Sequence, residues 1–174
     1  GLHAEQLALL TAHRRQIEHA LRDRLLATTA MQRLLWIPGV GALVAFTLLL
    51  EIDDVRRFPT VRQFHSYCRL VPGAQDSGGT RRHRHSYYDN RYLKLAFHHA
   101  AIRAIQYTEE IRTEYRRLAP RKNQGIARAL IAKELATIVY AVPTKQEAFN
   151  GRFRGHVLSR PKARQWPRLA TPPA

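Results

Sequence analysis

The chain has 174 residues, enough for one domain with a real hydrophobic core and an appendage. Lys and Arg number 29 against 13 Asp and Glu, for a formal net charge of +16, and 45% of the residues are hydrophobic. That balance argues against wholesale disorder and calls for a polyanionic partner, nucleic acid first and an anionic membrane second. The longest apolar run, Leu43 to Leu50, falls short of the roughly 20 residues of a bilayer span, and no stretch has a signal-peptide layout. The single cysteine, Cys68, excludes an intrachain disulfide and a zinc site built from Cys pairs. The expectation is a cytosolic protein that faces nucleic acid and not a membrane.

The chain begins Gly1-Leu2-His3 and its one methionine is Met31, which reads as a segment of something longer. Residues 2–35 read as one long helix, with Leu7, Leu10, Ile17, Leu21 and Met31 on a and d positions of a heptad frame. Arg14, Arg24 and Thr28 interrupt that frame, leaving an imperfect seam suited to a coiled-coil or dimerisation arm. Pro38 stops this helix, Gly39 and Gly41 allow a tight turn, and a second apolar helix follows from Ala42 to about Leu50. After Phe58-Pro59, Thr60 is placed to cap a helix running to Leu70, with Val61, Phe64, Tyr67 and Cys68 on its buried side.

From Val71 to Tyr88 the helical pattern dissolves into a Gly-rich, basic segment. Helix resumes at Asp89 or Asn90 and runs to about Tyr107, with Leu93, Ala96, Phe97, Ala100, Ala101 and Ala104 as its apolar face. Two more helices are expected near 109–118 and 124–142, the second ended by Pro143. No alternating strand pattern is evident, so the fold class is mainly α: a long N-terminal helix, then a compact helical domain with a helix-hairpin-helix-like element and a basic Gly-rich loop. The division is 1–33 as arm, 34–145 as helical domain and 146–174 as a basic, Pro-containing tail. That tail, acid-free from Gly151 onward, is expected to stay extended until it meets a polyanion.

Two segments carry candidate chemistry. In Ile37-Pro38-Gly39-Val40-Gly41, small residues let the backbone approach a phosphate, and the amides of the following helix can donate to its oxygens. The alternative is a tight turn whose glycines serve only the packing of two helices. In Asp76-Ser77-Gly78-Gly79-Thr80-Arg81-Arg82-His83-Arg84-His85, Ser77 could attack a phosphodiester while Arg81, Arg82 and Arg84 steady the charge on the phosphorane oxygens. The serine hydroxyl would need a base or a metal ion to deprotonate it. The alternative is a solvated Gly-rich turn whose basic flank, His85 included, binds phosphates and reacts with nothing. Asn90, Arg91, Lys94 and Arg103 line the next helix, interleaved with Tyr87, Tyr88 and Tyr92, a mixture suited to base stacking and phosphate contact. His98 and His99, adjacent on a helix, point about 100° apart and make no metal site. Glu51, Asp53 and Asp54, the one acidic cluster, suit capping and solvation better than metal binding.

Taken in order, these pieces resemble the C-terminal domain of the IS110 type of bacterial insertion-sequence transposases, related to the Piv invertases and called bridge recombinases. The likeness rests on Ile37-Pro38-Gly39-Val40-Gly41, Leu50-Glu51-Ile52, Phe58, Leu70-Val71-Pro72 and Ser77-Gly78-Gly79. It continues through Asn90-Arg91-Tyr92-Leu93-Lys94, Ala100-Ala101 and Ala132-Lys133-Glu134-Leu135, over about residues 34–142. The resemblance implies a bacterial, nucleoid-associated protein whose missing N-terminal part is a RuvC-like domain with an Asp-Glu-Asp-Asp site for Mg²⁺. It further implies a coiled-coil arm, dimers that pair into tetramers, a structured non-coding (bridge) RNA as partner, and a serine nucleophile, by position Ser77, that joins to a DNA 5′ phosphate. No cofactor is expected on this chain itself. Where such sequences usually read Ser-Lys-x-Gly-Asn, this one has Ser86-Tyr87-Tyr88-Asp89-Asn90, which removes a backbone freedom and a phosphate contact. Two functions follow: half of a DNA strand-transfer enzyme, inactive without its metal-binding part, or a non-catalytic helix-hairpin-helix module that grips DNA or RNA by its backbone.

Overall fold

The computed structural model describes residues 2–25, 28–71, 74–77, 80–83, 90–144, 151–154 and 156–157. These residues are mainly helical, as the sequence predicts. The first expected helix is in fact two, α1 (Leu2–Leu25) and α2 (Thr29–Leu35). Thr28 is extended at φ −78° and ψ 138°, and its hydroxyl accepts the Met31 amide at 3.3 Å. A threonine that can satisfy a helix-start amide competes with helix continuation, which is why the break falls there. Met31 leaves the proposed seam altogether and is fully buried in the compact domain, whereas Leu7, Leu10 and Ile17 stay exposed.

The core is a set of mutually packed helices centred on α5 (Arg91–Tyr107), α6 (Glu109–Lys122) and α7 (Gln124–Thr144). Helix α3 (Ala42–Ile52) packs on α5, and α4 (Val61–Tyr67) packs on α7. The buried face of α5 is Leu93, Ala96, Phe97, Ala100, Ala101 and Ala104, the face its 3.6-residue period predicts. Its alanines let neighbouring backbones approach closely. At the other extreme, Phe64 meets Phe97 and Phe58 edge-to-face at 6.2 and 5.2 Å and Tyr140 in a tilted pair at 5.7 Å, joining α4, α5 and α7. Each such pair contributes about 0.5–1.5 kcal/mol beyond its buried area.

Thr60 caps α4 as expected, in a reciprocal capping box with Gln63. The helix ends at Tyr67 and not at Leu70, because Arg69 turns left-handed (φ 55°) and the Leu70 amide reaches back to the His65 carbonyl at 2.9 Å. Prolines 120 and 143 sit inside the last turns of α6 and α7 without stopping them. In α6 the final turn is closed by the Asn123 amide on the Ala119 carbonyl at 3.0 Å.

Short strands, absent from the sequence reading, form two antiparallel hairpins: β1 (Ala74–Ser77) with β2 (Thr80–His83), and β3 (Arg152–Phe153) with β4 (His156–Val157). The second hairpin lies in the segment expected to be an extended tail. Phe153 is 1% exposed within the core, and the Arg154 guanidinium bonds the buried Glu114 carboxylate of α6 at 3.1 Å. A single aromatic anchor and one buried ion pair fold the start of the basic stretch back onto the domain. Residues 158–174 lie outside the described residues. No described helix is long and apolar enough to cross a membrane.

Candidate nucleic-acid interface

The segment bearing Ser77 is held by its base. The Asn90 amide donates to the Tyr67 carbonyl at 2.8 Å, so the end of α4 and the start of α5, which flank the hairpin in the chain, meet at one neck. The Asn90 side chain does two further things. Its Oδ1 accepts the Tyr92 and Leu93 amides at 2.8 and 3.0 Å, capping α5. Its Nδ2 donates to Glu51 Oε2 at 2.6 Å, tying the last turn of α3 to the first turn of α5. Asn90, a candidate nucleic-acid contact in the sequence, is therefore placed as the tie of three helices. Glu51 carries the other half of that tie, which sequence spacing could not reveal because the two residues are far apart in the chain.

Beyond the neck, β1 and β2 pair in register: Ser77 opposite Thr80, Asp76 opposite Arg81, Gln75 opposite Arg82 and Ala74 opposite His83. Ser77 is thus the last strand residue before a two-residue connection, on the same hairpin as Arg81 and Arg82. Gly78, Gly79, Arg84, His85, Tyr87 and Tyr88 lie outside the described residues.

The other glycine element sits elsewhere on α5. Gly39 has φ +79°, and a Cβ there would stand 2.0 Å from the Ala100 carbonyl oxygen and 2.7 Å from the Ala104 nitrogen. Its close approach is to the α5 backbone. Gly41 is the open one: nothing lies within 4 Å of its would-be Cβ, and it starts α3 with no side-chain cap. Ala100 lies nine residues beyond Arg91, or about 14 Å along the helix axis, so this turn and the α5 N-terminus are separate surfaces.

The charge distribution is uneven. Arg112 and Arg116 pair with Glu109, Arg117 and Arg154 with the buried Glu114, and Arg56 with Asp54. Arg91, Lys94, Arg103, Arg121, Lys122 and Arg128 have no carboxylate partner among the described residues. Arg91, Tyr92, Lys94, Leu95 and His98 border a shallow depression of about 380 Å³ on α5. Burial pushes the half-buried His98 imidazole below the usual histidine range, reinforced by the charges of Arg128, Lys94 and His99. Arg128, on the second turn of α7, was not singled out in the sequence because its proximity to α5 is a product of the tertiary fold.

The acidic cluster is engaged. Glu51 holds Asn90, and Asp54 caps the short turn of residues 55–57 through the Arg56 amide at 2.9 Å. Among the described residues no three His, Cys, Asp or Glu side chains gather as a metal site. Glu51 and Asp54 thus each serve a hydrogen bond within the fold. Cys68 is fully buried, and burial pushes its thiol well above the ordinary range, which leaves it unreactive.

Residues 31–116, from α2 through the Ser77 hairpin and α5 into α6, match the model of the "Transposase IS116/IS110/IS902 family". The chain is similar to the "Probable family 20 transposase" of Pseudomonas aeruginosa, 25% identical over 150 residues that cover 83% of this chain and 44% of that protein. It is also 29% identical over 141 residues to the "Insertion element IS110 uncharacterized 43.6 kDa protein" of Streptomyces coelicolor, covering 80% of this chain and 35% of that one. The "Transposase for insertion sequence element IS1328" of Yersinia enterocolitica is 26% identical over 144 residues, covering 78% and 42%. The chain spans less than half the length of each of these relatives.

Proposed function

We propose that this chain is the C-terminal part of an insertion-sequence transposase of the matched family, and that it binds DNA and a structured guide RNA and presents Ser77 as the nucleophile of strand transfer. The observation that carries the reading is that the match of residues 31–116 runs through the whole neck and hairpin. In the reaction the Ser77 Oγ–P bond forms as the P–O3′ bond breaks. The serine becomes joined to the 5′ phosphate and the 3′ oxygen leaves as a hydroxyl. Arg81 and Arg82, on the strand paired with Ser77, and Arg84 beyond it supply positive charge for the phosphorane oxygens. The serine proton goes to a base that the longer protein would supply, and the leaving 3′ oxygen takes up a proton from water. Mg²⁺ belongs to the RuvC-like domain that the family resemblance implies, and the exposed helix α1 is the arm through which protomers pair.

The departure at Ser86-Tyr87-Tyr88-Asp89-Asn90 favours a second reading, a binding module that grips nucleic acid without chemistry. Both readings require this chain to bind duplex DNA steeply against salt, each neutralised phosphate adding about −0.9 to the log–log slope. In titrations at several salt concentrations, the isolated chain should show that slope and, with Mg²⁺, no strand breakage. Affinity indifferent to salt would remove both readings, and breakage by the isolated chain would contradict the division of labour between domains.

A further inference from the structure

The depression on α5 combines features that phosphate contact alone does not require. Its border includes the exposed Tyr92 ring and Leu95, 51% and 55% accessible on a helix whose other apolar side chains are mostly buried. Around these stand Arg91 and Lys94, with Arg128 of α7 close enough to act on His98 at the far end. The Arg91 guanidinium lies 5.0 Å from the Tyr92 ring centroid and donates to its hydroxyl at 3.0 Å, holding the ring in place. Neither Arg91, Lys94 nor Arg128 has a carboxylate to neutralise it among the described residues. A duplex presents its phosphates outward and its bases stacked inside. An apolar patch flanked by cations that no carboxylate neutralises among the described residues instead matches a nucleotide whose base is free.

We propose that Tyr92 and Leu95 form a seat for one unpaired base of a single-stranded nucleic acid, with Arg91, Lys94 and Arg128 holding the phosphates on either side. The inference rests on the nucleic-acid reading above and deepens it, since it assigns a single-strand subsite distinct from the Ser77 hairpin. The seat lies just past the Asn90 cap, at the foot of the neck.

The test measures binding of labelled oligothymidine, oligouridine and a duplex of matched length to the chain and to Tyr92→Ala, Tyr92→Phe and Arg128→Gln variants. Circular dichroism verifies that each is folded. Stacking of a base on an aromatic ring contributes about 1–3 kcal/mol. Tyr92→Ala should therefore weaken single-strand binding by about tenfold while leaving duplex binding within about twofold, and Tyr92→Phe should restore it. Arg128→Gln should lower the single-strand salt slope by about 0.7. The two homopolymers then tell whether the seat prefers DNA or RNA. Unchanged oligothymidine and oligouridine affinity in Tyr92→Ala, or an equal loss on duplex and single strand, overturns the seat while leaving the proposed function intact. Failure of the parent chain to bind any of the three overturns both.

Discussion

At Gly39 the backbone needs both a left-handed φ and the absence of a side chain, because the Ala100 carbonyl occupies the place of a Cβ. Gly39→Ala should cost about 2–5 kcal/mol, combining the left-handed penalty with overpacking against α5. Gly41→Ala, with open space and φ −95°, should cost under about 1 kcal/mol. Chemical denaturation of the two variants checks the contrast, and equal stabilities would show that the α3–α5 approach is not as tight as described. His65 makes a second prediction. It is 5% exposed, its Nε2 lies 3.1 Å from the Thr137 hydroxyl, and burial with the nearby Lys133 charge pushes its pKa down to about 4. Thr137 gives its own proton to the Lys133 carbonyl, so the neutral His65 ring is the donor to its oxygen. A histidine with a lowered folded pKa stabilises the fold above its unfolded pKa near 6.5 and progressively loses that contribution as the pH falls toward 4. Stability should drop by about 2 kcal/mol between pH 7 and pH 5, and a His65→Gln variant should lose most of that dependence. A wild-type chain with flat stability over this range would contradict the burial of an uncharged ring.

At the scale of elements, the neck is the device that holds three helix ends together on either side of the hairpin segment. Glu51, Asn90 and the Tyr67 carbonyl bring the ends of α3, α4 and α5 together. Glu51→Ala should leave the Asn90 cap in place but remove one partner of a part-buried hydrogen bond, costing about 1–3 kcal/mol. Amide exchange should quicken at Asn90 and in the first turn of α5 more than in α7; uniform change across the helices would mean that the tie is not local. Elements also separate what sequence shows from what it does not. The apolar face of α5 was legible residue by residue, because six small or apolar side chains repeat with the helical period. The first hairpin was not: four-residue strands reading Ala-Gln-Asp-Ser and Thr-Arg-Arg-His carry little strand propensity and no apolar alternation. The β3–β4 hairpin was hidden for a related reason, since one buried Phe153 among arginines looks like disorder until Glu114 and the core are in place. The break at Thr28 escaped because a heptad count weighs apolar spacing and not the local competition of a hydroxyl for a backbone amide.

Across the whole molecule, charge and packing divide the surface. Glu51, Asp54, Glu109 and Glu114 serve a tie, a cap and ion pairs within the helical domain, while the cations of α5, the α6–α7 corner and the start of α7 have no carboxylate partner among the described residues. That arrangement is what a net charge of +16 requires of a folded protein, and it places the candidate interface on the side of α5 away from the core. Of the candidate site, the sequence showed the residue types but not their tasks. Gly39 and Asn90 are held by the fold's own packing and capping, whereas Arg91 and Lys94 are exposed and the unexpected Arg128 is partly buried. The central claim concerns Ser77, and it is tested most directly in the longer protein of which this chain is proposed to be the C-terminal part. That protein and its Ser77→Ala variant would be incubated with element-end DNA, the guide RNA and Mg²⁺, and the products separated on denaturing gels with peptide mapping. The account predicts a covalent adduct between a DNA 5′ phosphate and the peptide containing Ser77, absent from the variant, with nucleic-acid affinity unchanged. Strand transfer that persists in Ser77→Ala, or tight binding with no adduct where a related active transposase forms one, would contradict it.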